Sequence, residues 1–185
     1  MKLILASQSP RRKELLAGLH LPFEVVPSHF DESTVVADSP RLEVQALATG
    51  KARETAKGHP DTIVIGADTV VALDEKILGK PKSPAEAKQM LRMLSGRTHD
   101  VFTGVCVVCR GKEVSECAVT HVTFRELSPE DIEEYVQTGS PFDKAGAYGI
   151  QDCDFVRHYE GEYENVMGLP LCTVKKLLTS VGVKL

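Results

Sequence analysis

Ser7-Gln8-Ser9-Pro10-Arg11-Arg12-Lys13 sets two hydroxyls ahead of three consecutive cations. Ser9 followed by Pro10 predicts a helix start, with serine as the N-cap and proline in the first helical position. That end of a helix carries the positive end of its dipole, so cations there are unfavourable and acids are preferred. A sequence that breaks a local rule often does so where function requires it. Backbone N–H groups, a hydroxyl and two guanidinium groups together suit a phosphate chain. Solvated surface cations, paired with Glu14, are the competing reading.

Asp68 lies within the otherwise apolar stretch Thr62-Ile-Val-Ile-Gly-Ala-Asp-Thr-Val-Val-Ala-Leu73. It is either a hairpin-turn residue between two short strands, Thr62–Ile65 and Val70–Leu73, or a buried acid with a purpose. A buried carboxylate is costly unless it is paired, hydrogen-bonded or metal-bound, and Gly66 would let backbone or ligand approach closely. The acidic pair Asp31-Glu32 follows Pro27 in a polar loop. With Asp68 it could offer oxygen ligands to Mg²⁺, which takes one or two carboxylates and fills its shell with substrate phosphate. Lys51, Lys80 in Gly79-Lys80-Pro81, and Lys144 in Asp143-Lys-Ala-Gly-Ala-Tyr-Gly-Ile-Gln151 read, one by one, as surface lysines.

Other chemistries fail on spacing. There is no G-x-x-x-x-G-K-[ST], H-E-x-x-H or G-x-S-x-G string, and Gly146 and Gly149 make no dinucleotide fingerprint. Cys106-Val-Val-Cys109 is a C-x-x-C in an apolar β run, where residues three apart face opposite ways and cannot share one zinc. A redox or zinc module is disfavoured, and the six histidines form no ligand cluster.

The elements that must position these residues alternate. Strands are predicted at Lys2–Ala6, Phe23–Val26, His99–Arg110 and Glu113–Arg125, the last two joined by a turn at Gly111-Lys112. Two short strands, Asp154–Tyr159 and Tyr163–Met167, follow. Helices are predicted from Ser9, with Leu15, Leu16 and Leu19 as the apolar face, and from Leu42 to Ala56, with Leu42, Ala46, Thr49 and Arg53 in register. Others run from the Ser83 capping box to Leu94, from Ser128 to Gln137, and from about Pro170, with Leu171, Val174, Leu177, Leu178 and Val181 inward. Long β runs with five or so helices indicate an α/β fold with a mixed central sheet.

The 185 residues are 42% hydrophobic and 26% charged, enough for one domain that buries its own core. A net charge of −4 excludes a protein that coats nucleic acid but leaves room for a local basic pocket. The odd count of five cysteines, the short apolar run Leu3–Ala6 and the lack of a membrane-length apolar run predict a reduced, cytoplasmic setting with no membrane partner.

In order along the chain these signals resemble the Maf family of nucleoside triphosphate pyrophosphatases. The matching stretches are LASQSPRRKELL, DES at Glu32, KARE at Lys51, GADTVV at Asp68, GKP at Lys80, LSGRTHDVFTGV, FDKAGAYGIQ ending at Gln151, and VMGLPL. The resemblance implies one domain over residues 1–185, with two lobes around a cleft, similar to the inosine triphosphate pyrophosphatases. It implies hydrolysis of a nucleoside triphosphate to the monophosphate and diphosphate with a divalent cation, Mg²⁺ or Mn²⁺, in a homodimer. Asp68 matches the family's proton acceptor. Arg11, Thr69 and Gln151 match its substrate-selecting positions. Ser7, Arg12, Glu32, Lys51 and Lys80 fall at its phosphate and metal contacts, with Glu32 and Asp68 as the metal-holding pair. The GADTVV form with a GIQ end is similar to the subfamily that prefers dTTP and UTP, which implies house-cleaning of the nucleotide pool. The alternatives are the same chemistry on 7-methyl-GTP or another modified nucleotide, and a nucleotide-binding regulator of cell division. After Gln151 the sequence Asp152-Cys153-Asp154 is shorter than in the family and lacks its usual glycines.

Overall fold

The computed structural model describes residues 2–185. The mixed sheet is present, with strand order β2-β1-β3-β5-β6-β7 and β4 paired to β3. Its strands are β1 (Lys2–Leu5), β2 (Phe23–Val25), β3 (Thr62–Leu73), β4 (Lys76–Leu78), β5 (Thr98–Cys109), β6 (Lys112–Phe124) and β7 (Val156–Glu160). β1 runs parallel to β2 and β3, and the other pairings are antiparallel. The helices are α1 (Pro10–Ala17), α2 (Pro40–Lys57), α3 (Pro84–Leu94), α4 (Pro129–Gln137), α5 (Tyr163–Met167) and α6 (Leu171–Ser180).

β3 corrects the sequence reading of two short strands around a possible turn. It is one 12-residue strand, paired to β5 continuously from Ile63↔Cys109 to Ala72↔Asp100. The turn comes later, at Asp74-Glu75, where both residues adopt positive φ, as a tight hairpin to β4 requires. β5 and β6 are joined the same way at Arg110-Gly111, one residue before the predicted turn.

Helix starts follow the caps. Ser9, Ser39, Ser83 and Ser128 each accept a backbone N–H from the first turn, and a proline opens each helix. Ser128 and Asp131 form the full reciprocal capping box. In α3 the Glu86 carboxylate reaches back one residue further, to the N–H of Lys82. Two expectations are overturned. α2 buries Val44, Leu47, Ala48, Ala52 and Thr55, while Leu42 stays 53% exposed, so its inward face is rotated from the predicted one. Tyr163–Met167 is a helix, because Asn165 must turn its side chain inward and Gly168 ends the turn at φ 110.

Three apolar clusters divide the sheet. On one face, Ile4, Val64 and Cys106 pack against Ala48 and Ala52 of α2. On the other, one cluster joins Ile63, Ile65, Ala67, Val105 and Val107 to α1 and α6. A second cluster on that face joins Val71, Leu73, Val101 and Val122 to α3, α4 and the 145–155 segment. Cys106 and Cys109 sit in clusters on opposite faces, so the C-x-x-C string cannot chelate. Burial raises the Cys106 thiol to about 11, which leaves it protonated and inert. Among the described residues, no helix is long and apolar enough to cross a membrane.

Candidate active site

β1 covers β3 only as far as Ile65, and β4 rejoins it at Val71. Among the described residues no strand pairs with that edge of residues 66–70. A cleft of about 720 Å³ opens there, lined by the 6–12 segment, α2, Asp68, Thr69, Lys80, the 143–151 segment and the α5–α6 turn. Ligands of open α/β sheets commonly bind where strand order changes hands in this way.

Asp68 projects toward α2. The helix backbone lies against the sheet because two glycines let it: a Cβ on Gly66 would stand 2.3 Å from the Ala48 carbonyl, and one on Gly104 2.2 Å from that of Val44. Gly104 is the β5 partner of Asp68. At this spacing the Lys51 ammonium reaches Asp68 Oδ1 at 2.6 Å and Glu32 Oε1 at 2.8 Å. The loop bearing Glu32 is itself docked on α2. The Phe30 ring occupies the space where a Cβ on Gly50 would be, and Glu54 accepts from the Ser28 hydroxyl and the His29 N–H. Asp31 does not join Glu32 at the site. It caps the short turn Glu32–Thr34 by accepting from the Ser33 N–H and hydroxyl, which holds its carboxyl below the ordinary value.

Thr69 projects to the other face, where Arg12 holds three segments together. Its Nε donates to the Gly168 carbonyl at 2.7 Å, Nη1 to the Ala67 carbonyl at 2.9 Å and to Ser7 Oγ at 3.4 Å, and Nη2 to Thr69 Oγ1 at 3.0 Å. Of its five N–H donors, four are thereby committed to protein acceptors. Burial lowers the Arg12 pKa, and the charges of Asp68 and Glu32 oppose that shift. Ser7 accepts from both Arg12 and the Ser9 N–H, so its own proton is available to a ligand.

The far wall is tied to α1 by Arg11, which donates to Asp143 Oδ2 at 2.8 Å. Partial burial opposes ionisation of Asp143, but hydrogen bonds from Lys144 and Arg11 hold its pKa down at about 2. Lys144 is 8% exposed, unlike the surface residue read from sequence. Its ammonium binds the Ser140 carbonyl, Asp143 and Asp152, which braces the short segment after Gln151. Below this wall the Tyr148 hydroxyl meets His99 Nε2 at 2.7 Å.

Residues 2–181 match the Maf-like protein family. The chain belongs to this family. A Maf relative from Moorella thermoacetica, named dTTP/UTP pyrophosphatase, is 55% identical over 186 residues, covering 98% of this chain and 96% of that protein. Another of the same name, from Bacillus cytotoxicus, is 50% identical over 179 residues, covering 96% of this chain and 94% of that protein. The solved structure of a HAM1 protein from Coxiella burnetii shares the fold at a TM-score of 0.55 and 16% identity, with 98% of each chain covered.

All nine residues singled out by sequence, Ser7, Arg11, Arg12, Glu32, Lys51, Asp68, Thr69, Lys80 and Gln151, line this Maf-family cleft. Lys80 and Gln151 stand exposed on its rim. Sequence reasoning missed Glu43, which also lines the cleft and whose pKa is raised by burial and then by Asp68. The signal was available in the i, i+4, i+8 row Glu43, Leu47, Lys51 on α2. It also missed Asn165, whose inward amide binds Val101 and Thr120.

Proposed function

We propose that this Maf-family enzyme hydrolyses dTTP and UTP to the monophosphate and diphosphate, removing surplus or non-standard pyrimidine triphosphates. One observation carries the reading: at the cleft floor a lysine ammonium bridges two carboxylates, within a ring of further cations. Phosphoanhydride cleavage needs positioning and charge neutralisation more than covalent chemistry. Arg11, Lys51, Lys80 and the Ser7 proton hold the phosphate oxygens. Asp68 orients a water and accepts its proton as the oxygen attacks the α-phosphorus. The new P–O bond replaces the bridging bond to the β-phosphate, and diphosphate leaves.

The donor set fits a divalent cation. Asp68 Oδ1 and Glu32 Oε1 already converge on one positive charge, the Lys51 ammonium. Among the described residues no group of three His, Cys, Asp or Glu gathers, so these two carboxylates would hold Mg²⁺ or Mn²⁺ with substrate oxygens and water completing the shell. When bound, that ion supplies charge neutralisation and polarises the phosphoryl group.

The same reading takes residues 1–185 as one domain, acting as a cytoplasmic homodimer, which light scattering on the purified chain tests. The activity is tested by diphosphate release from a panel of nucleotides with and without Mg²⁺. Turnover of dTTP and UTP is expected. Preference for 7-methyl-GTP would replace the substrate, and tight binding with no turnover would replace the enzyme by a regulator.

A further inference from the structure

Thr69 is held at the cleft by a chain of hydroxyls whose protons can be accounted for. Arg12 Nη2 can only donate, so Thr69 Oγ1 accepts there at 3.0 Å. Thr69 and Thr103 are register partners on β3 and β5, and their hydroxyls lie 2.9 Å apart, so one of them donates to the other. Thr103 is wholly buried and lies 3.1 Å from the Asn165 carbonyl. Two proton arrangements can be drawn, and only the first satisfies every contact. In the first, Thr69 donates to Thr103 and Thr103 donates to Asn165. In the second, Thr103 donates to Thr69, which leaves no proton between Thr103 and the Asn165 carbonyl, and Thr69 donates to the Gly168 carbonyl, at 3.5 Å. The second relies on a contact at the outer limit for a hydroxyl donor, and on a carbonyl already taking Arg12 Nε at 2.7 Å. The first is therefore the working arrangement. In it, the Thr69 proton stays within the protein.

We infer that Thr103 is a specificity-determining positioning residue, which locks Thr69 as a hydrogen-bond acceptor and so selects nucleobases that present an N–H at that point. The inference rests on the pyrimidine triphosphate reading above and deepens it. In the first arrangement Thr69 keeps one lone pair for the ligand. The ring N3 of uracil and thymine carries a hydrogen and donates to it. The ring N3 of cytosine carries a lone pair, which would face the lone pair of Thr69. Thr69 cannot turn its proton outward to relieve this while Thr103 takes it. A site that leaves a polar atom opposed in this way discriminates more strongly than one that differs only in shape. Ser7 offers the contrast: it accepts twice from protein and keeps its proton for the ligand, a polarity suited to phosphate oxygen.

The test compares kcat/KM for UTP, dTTP and CTP in wild type, Thr103→Val and Thr103→Ser. Valine keeps the shape of threonine but cannot accept, while the Asn165 carbonyl retains the Gly168 N–H. With its proton released, Thr69 can donate to cytosine N3, and the CTP-to-UTP ratio of kcat/KM should rise about tenfold. The UTP-to-dTTP ratio should not move, because both bases carry the N3 hydrogen. Thr103→Ser should keep the wild-type ratios, and Thr103→Ala provides a second hydroxyl-free variant in case valine impairs folding. A folded hydroxyl-free variant whose CTP-to-UTP ratio equals that of wild type overturns the inference, as does an equal loss on all three substrates. Wild-type protein that turns over neither UTP nor dTTP sinks the substrate reading itself, and this inference with it.

Discussion

Asp68 and Thr69 are adjacent on β3 and face opposite sides of it, and the two sides are built differently. On the Asp68 side the partners are long charged chains at the cleft surface: Lys51, with 14% of its side chain exposed, and Glu32, with 57%. On the Thr69 side the partners are short hydroxyls, a carbonyl and a guanidinium enclosed among apolar clusters. The first arrangement can exchange partners when a charged ligand arrives. The second has its protons assigned before anything binds. One strand therefore carries a compliant surface, which the proposed function assigns to neutralising phosphate, and a stiff one, which it assigns to reading a base, and the alternation of side chains keeps them apart.

The comparison is broken most directly at Asp68. Asp68→Asn should lower kcat by about 10²–10⁴ with little change in KM, the range for loss of a positioned general base. Undiminished turnover would remove Asp68 from the chemistry. Lys51→Met takes away the charge between the carboxylates, and kcat/KM should fall by about 10²–10³ for every triphosphate alike, as for loss of a charge-stabilising donor. A change in base preference here would show that the two sides are not separate.

On the stiff side, Gly168→Ala forces a side chain into φ 110 beside Thr69 and Arg12. The strain is of order 1–3 kcal/mol and should appear both as a lower Tm and as weaker discrimination among bases. His99 under the Tyr148 wall gives a pH signature. Burial lowers its pKa from 6.5 to about 4. The unfolded chain takes up a proton through that window and the folded chain does not, so stability falls as pH drops from 6.5 toward 4. Between pH 7 and pH 5 the loss from this site is about 2 kcal/mol, and urea midpoints for wild type and His99→Phe would show a flatter profile in the variant. The smallest effect belongs to the outer face of α2. Arg53→Ala removes an exposed pair with Glu113 and should change stability by no more than about 1 kcal/mol, with kcat unaltered.

The residues lining both sides were legible in the sequence, through motif or family resemblance, and the support behind Thr69 was not. Asp68 stands out because a carboxylate within an apolar β run violates local expectation, whereas Lys51 reads alone as a surface lysine and Glu32 as an ordinary loop acid, and the family resemblance places both at the site. The capping serines and prolines likewise mark the helix starts at Ser9, Ser83 and Ser128, whereas Ser39-Pro40 reads as the end of a loop although it caps α2. Thr103 and Thr120 left no such mark, since threonine is at home in any β run, and their significance comes only from pairing across strands. Asn165 was hidden because Tyr163–Met167 is too short for periodicity to choose between strand and helix. Gly66 was read as a place of close approach, but the sequence could not say that the approaching body is α2. The inward face of α2 was misjudged because small residues, Ala48 and Ala52, do the packing that larger apolar residues usually signal.

The unpaired edge of β3 at residues 66–70 also bears on how the protein keeps to itself. A strand with open N–H and C=O groups is a template for another strand, and proteins usually blunt such edges with charge, proline or a covering element. Here the gap is only a few residues long, closed at one end by β1 and at the other by β4, and walled by the 6–12 and 143–151 segments. A second extended chain cannot lie down in so short a gap. The interruption that creates the cleft thus offers no length of open edge there to another strand.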